Sequence, residues 1–412
     1  MRILVVSQYF WPESFRINDV VTQLHQAGCD VVVLTGQPNY PGGQIFDGYK
    51  ASGLGLDPAI TDAKVYRVPM LPRYQGKGRQ LALNYLSFLG SATLFAPWLL
   101  RGQSFDVIFV YGVSPILQAI PAIVLKWIKR APLVVWVQDL WPQSLEVTGF
   151  VKNRAILGAV GAVTRWIYRR SDLVLGQSRA FVRTITAMSG KTPVRYHPSP
   201  GDIASTVVPA ADPLGLKLDP GFNVVFAGNL GTAQALPTIL DAATALRDDA
   251  NIRFVLVGDG SRRDWVADEV KRRGLANVQL PGRFPPEAIP AILQQASAFL
   301  VSLSRSDILS QTVPAKISTY LAAAKPIIAS LDGEGGQVVT DANAGIACPA
   351  EDAVALAAAV RKVAGMPEHQ LAALGRSGRV YFDANLSPGV LNERLMALFQ
   401  HAIDSRGSAK KN

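Results

Sequence analysis

Short continuous apolar runs recur along the chain, each followed by a polar or glycine-bearing turn and then a stretch of helical periodicity. Residues 2–7 (Arg-Ile-Leu-Val-Val-Ser) are the first such run, the pattern of a parallel strand buried on both faces. Asn18 to Gln26 then reads as a helix closed by Gly28, and Val31 to Leu34 as the next strand. Further strands are predicted at Lys64–Val68, Val107–Tyr111, Leu133–Val137 and Leu173–Leu175. Around 195–221 the composition shifts to Pro, Gly, Asp and Ser, which marks a linker. The alternation restarts with strands at Asn223–Ala227, Arg253–Val257, Val278–Leu280, Phe299–Ser302 and Ile327–Ser330. Helices are expected near 237–245, 263–274, 351–363, 368–377 and 387–404. Repeated β/α alternation around a linker predicts an α/β chain of two Rossmann-like, doubly wound domains facing across a cleft. The expected divisions are residues 1–200, residues 217–385, and a C-terminal helix at 386–405.

One helix carries an anomaly. In Thr312-Val-Pro-Ala-Lys316-Ile-Ser-Thr-Tyr-Leu-Ala-Ala-Ala-Lys-Pro326, apolar Ile317, Tyr320, Leu321 and Ala324 recur at helical spacing. Pro314 reads as an early helical position, and Pro326 as the stop. Lys316 then places a cation at the end of the helix dipole that prefers anions. It is either a solvated surface lysine or, beside free backbone N–H groups, part of a phosphate site.

Composition narrows the class. The 412 residues are 49% hydrophobic and only 17% charged, which excludes a disordered chain. Cys29 and Cys348 fall in separate predicted domains without metal-ligand spacing, so neither a disulfide framework nor a Cys-based metal site is expected. The apolar N-terminal run is too short for a signal peptide, and the predicted location is cytoplasmic. Residues 64–200 hold 18 Lys and Arg against four Asp and Glu, so this half is expected to face something anionic. No recognised nucleic-acid motif accompanies that charge. Gln80 to Leu100 carries no charge and follows Arg73, Lys77 and Arg79. A span would split one sheet across a bilayer, which leaves two readings: a buried helix, or a monotopic helix on an anionic inner membrane face.

Three glycine-bearing loops follow strands of the second domain: Phe226-Ala-Gly228-Asn229-Leu-Gly231, Val257-Gly258-Asp259-Gly260 and Leu331-Asp-Gly333-Glu-Gly335-Gly336. Ligands of open α/β sheets bind at such strand ends, where backbone N–H groups can meet an anion. Arg283, in Pro281-Gly282-Arg283-Phe284, is either a further ligand or a surface partner for Glu287. The first βα turn lacks G-x-G-x-x-G, which argues against a dinucleotide site there.

With Asn-Val-Gln-Leu-Pro-Gly-Arg283 and Pro-Ala-Lys316-Ile-Ser-Thr-Tyr-Leu-Ala-Ala-Ala-Lys-Pro, this order resembles the retaining family 4 glycosyltransferases of GT-B fold. The first domain is similar to the colanic-acid and O-antigen transferases through Ser-Gln-Tyr-Phe-Trp-Pro-Glu13-Ser-Phe-Arg16-Ile-Asn-Asp, Gly-Gln-Pro-Asn-Tyr-Pro-Gly-Gly and Trp-Val-Gln-Asp139-Leu-Trp-Pro-Gln-Ser. The resemblance implies a nucleotide-diphosphate sugar, expected to be UDP-linked, on the second domain. It implies a polyprenyl-diphosphate-linked or saccharide acceptor on the first, with no cofactor and no metal. Gln311 and Thr319 stand where many members carry glutamates, and Asn229 and Gln234 where many carry Arg and Lys. Diphosphate contacts then fall to Lys316, Arg283, the N–H groups near Ser310, Gln311 and Thr312, and the Gly228, Asn229, Gly258 and Gly260 loops, with Thr319 near the ribose. Asp139 is implied to act at the reacting sugar, against the alternative of a turn cap. Glu13 and Arg16 either bind acceptor groups or pair with each other. The departures leave one rival reading, a non-catalytic membrane-associated scaffold.

Overall fold

The computed structural model describes residues 1–58, 63–74, 78–147, 151, 153–201 and 217–409. Lys77 and most of the predicted linker lie outside these residues. The chain forms two units, 1–198 with 391–412, and 199–390.

The first unit is built on strands β1 (Arg2–Val6), β2 (Asp30–Thr35), β3 (Gly55–Asp57), β4 (Lys64–Arg67), β5 (Val107–Gly112), β6 (Leu133–Val137), β7 (Leu173–Gly176) and β8 (Val194–Tyr196). They lie in the order β3-β4-β2-β1-β5-β6-β7-β8, parallel except for β3 against β4. The chain reverses its winding between β1 and β5, so the loops after these strands lie at the switch point where open α/β sheets bind ligands. The terminal helix Pro388–Ala409 belongs to this unit: Leu395, Phe399 and Ala402 enter its core, with the Phe399 ring 5.1 Å from that of Phe109. Burying a side chain of that size contributes about 1.5–3 kcal/mol.

The second unit contains β9 (Phe222–Ala227), β10 (Ile252–Val257), β11 (Val278–Gly282), β12 (Ala298–Ser302), β13 (Ile327–Ser330) and β14 (Gly345–Cys348). All pair in parallel in the order β11-β10-β9-β12-β13-β14, the doubly wound order with its switch point between β9 and β12. Both units thus have the doubly wound, parallel-sheet character of a GT-B chain.

Several element boundaries differ from those predicted. Pro314 is extended (φ −60°, ψ 133°) and stands outside the helix as its N-cap; the helix is Ala315–Ala322, which makes Lys316 its second residue. It ends ahead of Pro326 because Ala324 takes a left-handed conformation at φ 57°. The helix expected at 368–377 runs Glu368–Asn385. Gly375 and Gly378 do not break it; they let it approach the Ala324 carbonyl and Leu321, where a Cβ on Gly375 would collide with that carbonyl.

The helix Gly78–Leu99 has two apolar faces. Leu81, Asn84, Phe88, Ala92 and Ala96 are buried, while Leu83, Leu86, Leu94 and Trp98 are exposed. No described helix is long and apolar enough to cross a membrane.

Candidate active site

The loops that follow β9, β10 and β11 enclose a cavity of about 440 Å³ lined by Gly228, Asn229, Val257, Gly258, Asp259, Gly260, Arg283, Phe284 and Ile289. The loops are locked together through their backbones. Gly228 N–H donates to Val257 O at 2.9 Å, Gly258 N–H to Gly282 O at 2.8 Å, and Leu230 N–H to Asp259 O at 2.8 Å. Gly258 lies at φ 138°, and a Cβ there would collide with the Gly228 carbonyl, so only glycine fits. Asn229 is exposed and packs between Gly231 and Gly260. Arg283 is exposed on the cavity wall and makes no ion pair with Glu287 or with any other described acid.

Lys316 reaches the wall of this cavity: a Cβ on Gly228 would lie 3.0 Å from Nζ. Nζ is shut off from water and has no hydrogen-bond partner. It lies over the face of Phe226, with Nζ 3.4 Å from the ring centroid. Desolvation by burial pulls its pKa down from 10.5 to about 7. An anion at the Gly228 loop would supply the missing counter-charge and restore the ammonium form.

Other predicted ligands are spent elsewhere. The N–H groups of Ser310, Gln311 and Thr312 donate to Ser306, Ile308 and Leu309 carbonyls, because Asp307–Ser310 winds into a short helix. The Ser310 and Thr312 hydroxyls donate to Asp307 O and Ile308 O, and the Gln311 amide to Asp307 O. These three are therefore not the open donors expected of them. Thr319 is 9% exposed, and its hydroxyl, expected near the ribose, turns back to Ala315 O at 3.4 Å. Gln234 accepts from Gly231 N–H at 3.1 Å and so braces the loop after β9. First-turn N–H groups of Ala315 and Lys316 are the donors a helix start leaves without an intrahelical partner. Sequence reasoning missed Phe226, Phe284 and Ile289, which look like ordinary strand and helix residues; nothing in their spacing marks them.

In the first unit, Asp139 follows β6. Its Oδ2 accepts from both the N–H and the hydroxyl of Ser114 at 2.9 Å, and Trp141 Nε1 donates to that same hydroxyl oxygen. One oxygen of Asp139 thus caps the turn after β5, and among the described residues none donates to Oδ1. Glu13 and Arg16 do not pair. Glu13 is 2% exposed and clamps the loop after β2 by accepting from the N–H groups of Asn39 (2.8 Å) and Tyr40 (2.7 Å), while its Oε2 accepts from Phe10 N–H. Burial pushes its pKa up to about 7 against the pull of those donors. A carboxylate so occupied acts as a clamp on the loop after β2. Arg16 pairs with Asp19 at 3.2 Å. His197 is buried edge-on to Trp136 and held neutral by desolvation, with a pKa of about 3.

Lys316 also makes stability depend on pH. Its folded pKa lies below its unfolded value, so the unfolded chain binds more protons between about pH 7 and 10.5. Its contribution to stability is full above 10.5 and is lost as the pH falls through about 7. Urea unfolding of the ligand-free protein should show this rise with pH. Lys316→Met should remove the slope and stabilise the fold at pH 7 by about 1–3 kcal/mol. Parallel pH profiles for the two proteins would contradict the burial of an unpaired ammonium.

Comparison with known proteins agrees with this architecture. A family model described as "Glycosyl transferase 4-like domain" matches residues 14–200, and one described as "Glycosyl transferases group 1" matches 221–365. WcaI of Escherichia coli K12, named for colanic acid biosynthesis, is 26% identical over 411 residues, covering 95% of this chain and 99% of WcaI. WbjE of Pseudomonas aeruginosa, also named as a glycosyltransferase, is 24% identical over 83% of this chain and 85% of its own. Among solved structures, the UDP-forming trehalose-phosphate synthase of Burkholderia vietnamiensis superposes with a TM-score of 0.74 at 14% identity, covering 98% of this chain and 99% of that one. HepE of Anabaena, solved with UDP, gives 0.69 at 15% identity over 97% of this chain and all of its own. The two family models between them take in most of the chain, and the chain belongs to the family 4 glycosyltransferases of GT-B fold.

Proposed function

We propose that this glycosyltransferase moves a sugar from a UDP-linked donor to a lipid-linked saccharide acceptor during synthesis of a cell-surface polysaccharide, retaining the anomeric configuration. In this reading residues 217–385 bind the donor and residues 1–200 the acceptor. The observation that carries it is the unpartnered Lys316 ammonium against Gly228, a cation placed where only an incoming anion can pair it. The donor diphosphate occupies the Gly228 loop, with Arg283 as a second cation and the apolar sides of Phe284, Val257 and Ile289 against the nucleoside. HepE, of the same fold, was solved with UDP and with UDP-glucose, which supports a uridine nucleotide.

In the transfer, the bond from the anomeric carbon to the diphosphate oxygen breaks while the acceptor oxygen forms its bond on the same face. The acceptor proton passes to the departing phosphate, and Lys316 stabilises the charge that gathers there. Asp139, held by Ser114 with Oδ1 open, stabilises the positive charge at the sugar or orients the acceptor hydroxyl.

The exposed face of Gly78–Leu99 supports a seat on an anionic membrane. That helix packs on Ala119–Lys129, which presents Trp127 and Ile128 and in turn touches Arg154–Arg170. Together the three helices carry seven Lys and Arg residues and no Asp or Glu. Apolar and basic surface combined is the composition of a monotopic membrane contact and supports that reading: one face of the helix is core, the other is exposed.

UDP should raise the melting temperature of the protein, and Lys316→Ala should abolish that shift and lower transfer at least about 100-fold with the fold retained. In the same assay, Asp139→Asn should lower turnover more than donor affinity. No stabilisation by UDP, or normal activity in Lys316→Ala, would overturn the donor assignment. Wild type should float with phosphatidylglycerol vesicles at low salt and be released at high salt. Replacing both Leu94 and Trp98 by Glu should abolish flotation without lowering the melting temperature. Wild type that stays unbound at low salt would reject the membrane seat.

A further inference from the structure

Another cation without an acid among the described residues lies at the carboxyl edge of the first unit's sheet. Arg73 is half-buried, and among the described residues no carboxylate pairs with it. Its guanidinium lies over the rings of Tyr40, at 4.9 Å, and Tyr9, at 5.8 Å. Those rings form one cluster with Phe15: Tyr9 stacks on Phe15 at 4.9 Å, and Phe15 meets Tyr40 at 5.0 Å. The cation–π contacts orient the guanidinium but leave its N–H fork without an acceptor, and a planar fork of that kind matches a phosphate.

The surrounding loops are fixed far more firmly than surface loops require. Gln8, Asn39 and Asn84 are fully buried and form an amide chain. Gln8 Nε2 donates to Asn84 Oδ1 at 2.8 Å, Asn84 Nδ2 to Asn39 Oδ1 at 3.3 Å, and that last oxygen accepts from Arg73 N–H at 3.1 Å. Glu13 holds the backbone of Asn39 and Tyr40 from the other side. Buried polar networks of this kind rigidify what they hold, and here they hold the backbone on both sides of the aromatic–guanidinium cluster. The Tyr85 hydroxyl feels the charges of both Arg73 and Asp139, which puts the two within electrostatic range of one side chain.

We propose that Arg73, backed by Tyr9, Phe15 and Tyr40, binds a phosphate of the acceptor, the group that links its saccharide to the prenyl chain. This rests on the reading of the chain as a transferase to a lipid-linked acceptor, and it names the residue that tells such an acceptor from a free saccharide. With the phosphate on Arg73, the attached sugar lies in the neighbourhood of Asp139.

The test compares farnesyl diphosphate with farnesol by titration calorimetry, with UDP saturating the donor cavity. Wild type should bind the diphosphate at least about tenfold more tightly than the alcohol. Arg73→Ala should lose that preference while binding farnesol as before, and Arg73→Lys, which keeps charge without the planar fork, should fall between. UDP stabilisation should be the same in all three proteins, and melting temperatures confirm that each is folded. Equal binding of the two prenyl compounds by wild type, or an undiminished preference in Arg73→Ala, would overturn the proposal. Failure of the donor reading would show separately, as absence of the UDP shift.

Discussion

An ammonium group without a partner governs the second unit. Removing a charge from water costs several kcal/mol unless other groups compensate. Lys316 has only the Phe226 ring, a contact worth about 2 kcal/mol when desolvated. The remaining penalty appears as a pKa near 7. The local sequence follows from this arrangement. Gly228 leaves room for Nζ, Gly258 and Gly260 let the neighbouring loop close over the first, and Tyr320 donates its hydroxyl to Ala227 O while accepting from Ala227 N–H, which fixes the end of β9. In the proposed reading a ligand anion relieves this destabilised cation, and binding energy falls on the group that faces the charge of a leaving diphosphate.

The first unit solves a different problem by similar means. Its candidate groups sit on loops after β1, β2, β4, β5 and β6, and loops need anchors if they are to hold a geometry. Glu13, Asn39, Asn84 and Gln8 supply them from inside, all at 2% exposure or less. Asp139 is fixed by Ser114 through one oxygen. Of the residues the sequence offered on this side, Glu13 is an anchor inside the unit, while Arg16 and Asp139 stay partly exposed.

What could be read from the sequence follows burial. Strands such as Leu133–Val137 and Ile327–Ser330 show as apolar runs because both faces are covered. β3 and β8 have three residues each, and β14 is Gly-Ile-Ala-Cys, so these are strands only by pairing with neighbours. Gly375 and Gly378 are explained only by the close approach of their helix to the Ala324 carbonyl and Leu321. Lys316 was legible because a first-turn cation contradicts the helix dipole, and the glycine loops because they follow strands. Phe226 was not, since an aromatic in a strand is ordinary. The Glu13 clamp was hidden because its partners lie 26 and 27 residues away. Ser310–Thr312 offered free donors on paper, but a short helix consumed them.

The central claim is that Lys316 is the counter-charge of a bound diphosphate, and its own titration tests this most directly. Carbon NMR of lysine labelled at Cε, assigned with Lys316→Met, reads that titration with and without UDP. The account expects a midpoint near 7 in the free protein and a rise of at least about two units with UDP bound. A midpoint near 10 in the free protein, or one that UDP leaves in place while bound, would contradict it.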